Sequence, residues 1–122
     1  MADILLLEDV EAFSRLLAHA LREDGHTVTT SENGKISYDR DVVSKTEIMI
    51  TDIDMPGVNG IEAILTVQKI QPDMKIIAMS GAGMSDMDDY LSACSDLGVA
   101  SILQKPFEPD TLLETVRTVL AA

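Results

Sequence analysis

Five short apolar runs alternate along the chain with longer stretches whose apolar positions recur at helical spacing. Ile4-Leu5-Leu6-Leu7, Thr27-Val28-Thr29-Thr30, Glu47-Ile48-Met49-Ile50, Lys75-Ile76-Ile77-Ala78-Met79 and Val99-Ala100-Ser101-Ile102-Leu103-Gln104 read as strands. Most are apolar at consecutive positions, the pattern of strands covered on both faces. Phe13, Leu16, Leu17, Ala20 and Leu21 form a helical stripe closed by Asp24-Gly25, and Ile61, Ile64, Leu65 and Val67 begin another after Asn59-Gly60. Residues 85–97 read as a helix with Met87, Leu91, Cys94 and Leu97 inward and Asp86, Asp88, Asp89 and Asp96 outward. Pro109-Asp110 opens a last helix carrying Leu112, Leu113, Val116, Val119 and Leu120. Residues 35–46 are the least regular, because charges interrupt Ile36, Tyr38, Val42 and Val43; a short or irregular helix is expected there. Strand and helix alternating five times predict an α/β domain over 1–122: a parallel sheet, five helices and three layers.

Composition narrows what such a domain does. Apolar residues make up 46% of the 122 positions and aromatics only 3%, so aliphatic side chains fill the core and few rings are available to stack on bases. A formal charge of −12 argues against nucleic-acid and anionic-membrane surfaces and favours cations and basic partners. The single Cys94 allows no internal disulfide and reads as a small buried residue. No apolar run approaches the roughly 20 residues that span a bilayer, and no signal peptide is evident, so a cytoplasmic location is expected. His19 is read as facing solvent.

The candidate chemistry lies where the strands stop. Glu8-Asp9 follow the first strand, Asp52 the third and Ser80 the fourth, and Lys105 comes just after the fifth. In a parallel sheet all these ends share one edge, where open α/β sheets bind ligands. Two carboxylates about 4 Å apart repel by about 4 kcal/mol at an effective dielectric near 20. A hard divalent cation such as Mg²⁺ suits such a set of acids, and Lys105 adds one fixed positive charge. A carboxylate held beside Mg²⁺ and an ammonium is a plausible nucleophile toward phosphorus, with Ser80 and backbone amides donating to the transferred oxygens.

In this order and spacing, Glu8-Asp9, Asp52-Ile53-Asp54-Met55-Pro56-Gly57 with Gly60, Ser80 and Lys105-Pro106-Phe107 resemble the receiver domain of two-component response regulators, across essentially the whole chain. The resemblance implies a flavodoxin-like doubly wound sheet of order 2-1-3-4-5. It implies that Asp52 accepts a phosphoryl group from a histidine kinase or phosphotransfer protein. Glu8, Asp9, Asp52 and the backbone carbonyl of Asp54 would hold Mg²⁺, Ser80 would bond the phosphoryl group, and Lys105 would pair with it. The phosphodonor would dock on the first helix and the loop after the fifth strand. A downstream protein would read the predicted fourth helix, the fifth strand and the last helix, either in a stand-alone receiver or in one excised from a longer protein. A signalling module rather than an enzyme is implied.

Two positions depart from the family pattern. Ile102 stands where members often carry a switch aromatic, which leaves Ser80 as the moving part. The Asp54 side chain, at a position that tunes dephosphorylation, adds negative charge at the mouth of the site. Three alternatives compete: a haloacid-dehalogenase-type phosphatase built on Asp52-Ile53-Asp54 with Ser80 and Lys105, a dinucleotide module on Gly81-Ala82-Gly83-Met84-Ser85-Asp86, and an unphosphorylated interaction module of the same fold.

Overall fold

The computed structural model describes residues 1–53, 60–81 and 95–122. Five parallel strands, β1 (Asp3–Leu7), β2 (Thr27–Ser31), β3 (Ile48–Asp52), β4 (Lys75–Ser80) and β5 (Ser101–Gln104), form one sheet in the order β2-β1-β3-β4-β5. The doubly wound sheet expected from the pattern is therefore present, with the expected strand order. Four helices are described, α1 (Glu11–Glu23), α2 (Arg40–Lys45), α3 (Gly60–Ile70) and α4 (Pro109–Ala121), with a 3-10 turn over Gly34–Tyr38. The expected irregularity of 35–46 is thus a 3-10 turn followed by α2, which Asp39 caps by accepting from the amides of Asp41 and Val42. Of the helix predicted over 85–97, only the end is described, with Ser95 and Asp96 helical. Asp54, the turn through Asn59, Gly83 and Cys94 also lie outside the described residues.

Alternation along each strand sends neighbouring side chains to opposite faces of the sheet. Ile4 and Leu6 of β1 join Ile48 and Ile50 of β3 in a core with Leu17 and Leu21 of α1 and Leu112 and Val116 of α4. Leu5, Leu7 and Met49 point the other way, against Val43 of α2 and Ala63, Ile64 and Val67 of α3. These two cores make the three layers and explain why the central strands are apolar at every position. One expectation needs correcting: Leu16 of the predicted α1 stripe is 50% exposed, and the buried face is instead Ser14, Leu17, Ala18 and Leu21. The small residues Ser14 and Ala18 let the helix lie close to the sheet, and this turns Leu16 outward. In α4, Leu120 is likewise partly exposed, while Leu112, Val116 and Val119 carry the contact.

The N-terminal ends of the strands are tied by polar contacts. The Ala2 amide donates to Nδ1 of buried His26 at 3.0 Å, fixing the start of β1 beside the turn into β2. Arg117 of α4 clasps Asp24 at 2.7 Å, joining the end of α1 to α4. At the edge strand β2, the amide of Thr27 and the carbonyl of Ser31 face β1. Val28 lies between them in register, so its carbonyl points outward, and Arg22 of α1 donates to it at 2.8 Å.

Candidate functional site

Glu8 follows β1, and its amide donates to the Ser31 carbonyl at 3.0 Å, which fixes it at the sheet's C-terminal edge. Asp52 is the last residue of β3. The Thr51 hydroxyl donates to its backbone carbonyl at 2.9 Å, and the amide of Ile53 continues the ladder to Met79 at 3.0 Å. The backbone of Gly60, which opens α3, lies directly against this strand end. A Cβ at Gly60 would run into the Asp52 carbonyl oxygen and come within 2.7 Å of the Ile53 Cα. Its amide also donates to the Ile53 carbonyl at 3.1 Å. Glycine is required here by close approach. Beyond β5, the Lys105 amide donates to the Ser80 carbonyl at 2.8 Å, so the β4–β5 pairing delivers Lys105 beside Ser80.

The side chains then converge. Lys105 Nζ donates to Asp52 Oδ2 at 2.7 Å and to Glu8 Oε1 and Oε2 at 3.0 and 2.9 Å, engaging its three ammonium protons. Asp9 joins the same group: carboxylate oxygens of Glu8, Asp9 and Asp52 lie within 4.8 Å of one another. Asp9 is exposed, Asp52 nearly buried and Glu8 1% exposed, so the cluster opens to solvent on the Asp9 side. The Ser80 hydroxyl is fully buried and has no hydrogen-bond partner among the described residues. The expected residues Glu8, Asp9, Asp52 and Lys105 are therefore brought together, and Ser80 ends the neighbouring strand. Asp54, expected to lend a carbonyl, lies outside the described residues.

Among the described residues, three acids gather with one ammonium. Burial raises the Glu8 carboxyl from 4.5 to about 7; Lys105 pulls it down, and the Asp52 charge pushes it further up. For Lys105, burial works against the charge, but the hydrogen bonds to Asp52 and Glu8 outweigh it and raise its pKa. A buried acid whose proton affinity is raised, beside two other carboxylates, is a donor set suited to a small oxygen-preferring cation, which would supply positive charge.

Ile102, expected in place of a switch aromatic, is half-buried against Ile53 and Ala78, with Ile61 and Val99 alongside. Aromatic rings occur elsewhere at the site, Phe107 in the Lys105-Pro106-Phe107 stretch and Phe13 from α1. Phe13 of α1 and Phe107 after β5 meet edge to face, with centroids 5.5 Å apart, and Lys105 Nζ lies 5.1 Å from the Phe13 ring centre. Phe13 had been assigned only to the core-facing stripe. The usable signal was scarcity: the chain has two Phe, and both flank site residues. With Glu8, Val10 and Pro106 these rings line a cleft of about 270 Å³.

The chain is similar to known proteins in sequence and fold. The family model of the response regulator receiver domain matches residues 4–117. The response regulator receiver protein CpdR of Brucella abortus is 34% identical over 122 residues, covering 100% of this chain and 99% of that protein. The chemotaxis protein CheY of Thermotoga maritima is 29% identical, covering 95% of each chain. A response regulator receiver domain protein of Clostridium thermocellum superposes with a TM-score of 0.86 at 24% identity, over 99% of this chain and 95% of that one. Longer relatives contain the same unit as one part: the chain spans 24% of the transcriptional regulator NtrC of Azospirillum brasilense, at 31% identity. The phosphatase and dinucleotide readings find no support in these likenesses, and the chain belongs to the response regulator receiver domain family.

Proposed function

We propose that Asp52 accepts a phosphoryl group from a phosphohistidine of a kinase or phosphotransfer protein. The single observation that carries this reading is the Lys105 ammonium bridging Asp52 and Glu8 with Asp9 alongside. A carboxylate oxygen of Asp52 would form a bond to phosphorus as the phosphorus–nitrogen bond of the donor breaks, with its electron pair leaving on the imidazole nitrogen. Lys105 would stabilise the oxygens of the transferring group, and the buried Ser80 hydroxyl, without a hydrogen-bond partner among the described residues, would donate to one of them. Glu8, Asp9, Asp52 and the backbone carbonyl of Asp54 would hold Mg²⁺. The ion, when bound, supplies charge neutralisation at the phosphoryl oxygens.

The donor would approach over α1 and the loop after β5. Val10 is 54% exposed and lines the Phe13–Phe107 cleft, and Leu16 of α1 is 50% exposed. The output surface would be the side formed by β5, α4 and the segment over 85–97, where Ser101, Thr111, Thr115 and Thr118 line a groove of about 280 Å³. With Ile102 aliphatic, the change on phosphorylation would pass through Ser80 and the loop after it. Signalling would then follow from a shift between existing conformations rather than from turnover of a substrate. Intact-mass analysis after incubation with acetyl phosphate and Mg²⁺ tests the reading. One added phosphoryl mass in the parent and none in Asp52→Asn is expected, and equal labelling of both proteins would refute it.

A further inference from the structure

We propose that Phe13 is a positioning residue for Lys105: the face of its ring holds the ammonium between Glu8 and Asp52 and links it to the docking cleft. The inference rests on the phosphoacceptor reading above, since it assigns a support to one of that reading's groups. Lys105 needs such a support. It begins one residue past the end of β5, its side chain is 20% exposed, and its stem has four rotatable carbons. Glu8 and Asp52 both accept hydrogen bonds from its ammonium. Opposite attractions from two acids fix a direction of pull but leave the ammonium free to settle on either, and the more buried Glu8 would keep it from the phosphorylation site.

The Phe13 ring lies 5.1 Å from Nζ, within the distance at which an aromatic face attracts a cation. The ring is itself fixed. It packs on the core of Leu17, Leu21, Leu112 and Val116, and the edge of Phe107 meets it at 66°. Phe107 lies two residues past Lys105, so its contact with Phe13 ties the loop after β5 to α1 beside the ring that faces the ammonium. An aliphatic side chain at position 13 would fill the space but exert no directed pull on charge.

The arrangement also has a consequence for coupling. Phe13 lines the cleft with Val10, Pro106 and Phe107, so whatever presses on that cleft moves the ring that carries Lys105. Added negative charge on Asp52 would draw the ammonium toward it and away from Glu8, changing what the ring faces. The rings of Phe13 and Phe107 would thus report the state of Asp52 to the docking surface.

Three variants separate positioning from packing. Phe13→Leu keeps an apolar side chain without the ring, Phe13→Tyr restores the ring, and Asp52→Asn removes the acceptor. The first readout is the initial rate of labelling at saturating acetyl phosphate with Mg²⁺. The second is the ring-current displacement of the Lys105 side-chain proton resonances. Phe13→Leu should lower the saturating rate about three- to tenfold, the range of a partly desolvated cation–ring contact. It should also abolish the displacement while melting cooperatively. Phe13→Tyr should recover both rate and displacement. An unchanged rate in Phe13→Leu, or an equally slow Phe13→Tyr that shows the parent's cooperative melt, would overturn the proposal. If Phe13→Leu does not melt cooperatively, Phe13→Tyr and Phe13→Met decide by the same two readouts. Parent protein that gains no label, or gains it equally in Asp52→Asn, would refute the phosphoacceptor reading itself, a result distinct from either outcome at position 13.

Discussion

Glu8 should make the metal-free protein lose stability as the pH rises through mild acidity to neutrality. Its side chain is buried, and its pKa stands at about 7 against an ordinary 4.5, raised first by burial, opposed by Lys105 and raised again by Asp52. An acid whose folded pKa exceeds its unfolded one binds its proton more tightly when folded. Its contribution is whole below the unfolded value and is lost as the pH climbs through the folded one. The window is therefore 4.5 to about 7. The gap corresponds to about 3 kcal/mol at about 1.4 kcal/mol per tenfold. With an unfolding entropy of about 2.1 cal/mol/K per residue, a chain of this length should lose about 12 °C in Tm across the window. Asp24, held low by its hydrogen bond to Arg117, works in the opposite sense: its contribution is lost as the pH falls below 3.8, outside this range. The assay is thermal melting in chelator across the window, parent against Glu8→Gln, whose amide cannot titrate. The variant should flatten the profile, and Mg²⁺ should oppose the loss in the parent, since protons and metal compete for the same oxygens. A Glu8→Gln profile as steep as the parent's would show that the titrating group lies elsewhere and that burial of Glu8 does not set the site's proton affinity.

Gly60→Ala places a methyl against the Asp52 carbonyl, so α3 or the strand end must move; a loss of about 2 kcal/mol, roughly 8 °C in Tm, is expected together with slower labelling of Asp52. Parent-like melting and labelling would show that α3 is not pinned to the acceptor strand. Ser80→Ala removes a buried hydroxyl that has no partner among the described residues, so the unmodified protein should melt no lower than the parent, and up to about 1 kcal/mol of stability should be gained. A melt several degrees lower would reveal a hydrogen bond to that oxygen in the resting state. Asp54→Asn should take acetyl phosphate faster than the parent by relieving repulsion at the mouth of the site; equal initial rates would remove Asp54 from that role.

Much of the fold was legible because the central strands are apolar at successive positions, which only a sheet covered on both faces requires. Ile4 through Leu7 supply one core with Ile4 and Leu6 and the other with Leu5 and Leu7. The rotation of α1 was not legible: Leu16 and Ser14 exchange the places that hydrophobicity alone gives them, because helix-to-sheet distance rewards small residues. The gathering of Glu8, Asp9, Asp52 and Lys105 was readable from strand ends, since in a parallel sheet position along the strand converts directly into position in space. The burial of Ser80 and His26 and the ring beneath Lys105 depend on packing between elements far apart in sequence, and no local pattern encodes them. Asn59-Gly60 marks the start of α3 in the sequence, and the main constraint on Gly60, the adjacent carbonyl of Asp52, is visible only in the fold.

The contact of Arg22 with the outward carbonyl of Val28 bears on how the protein behaves at high concentration. β2 is an edge strand of Thr27, Val28, Thr29, Thr30 and Ser31, a β-rich composition with no charged side chain of its own. Such an edge is a template on which a second chain can add a strand, and proteins commonly guard it with a charge. Here the guard comes from the neighbouring helix: Arg22 occupies a carbonyl that an incoming amide would need. An exchange to leucine at position 22, which helix propensity tolerates, would therefore be felt in colloidal behaviour more than in melting. Crowded conditions such as overexpression would expose it first.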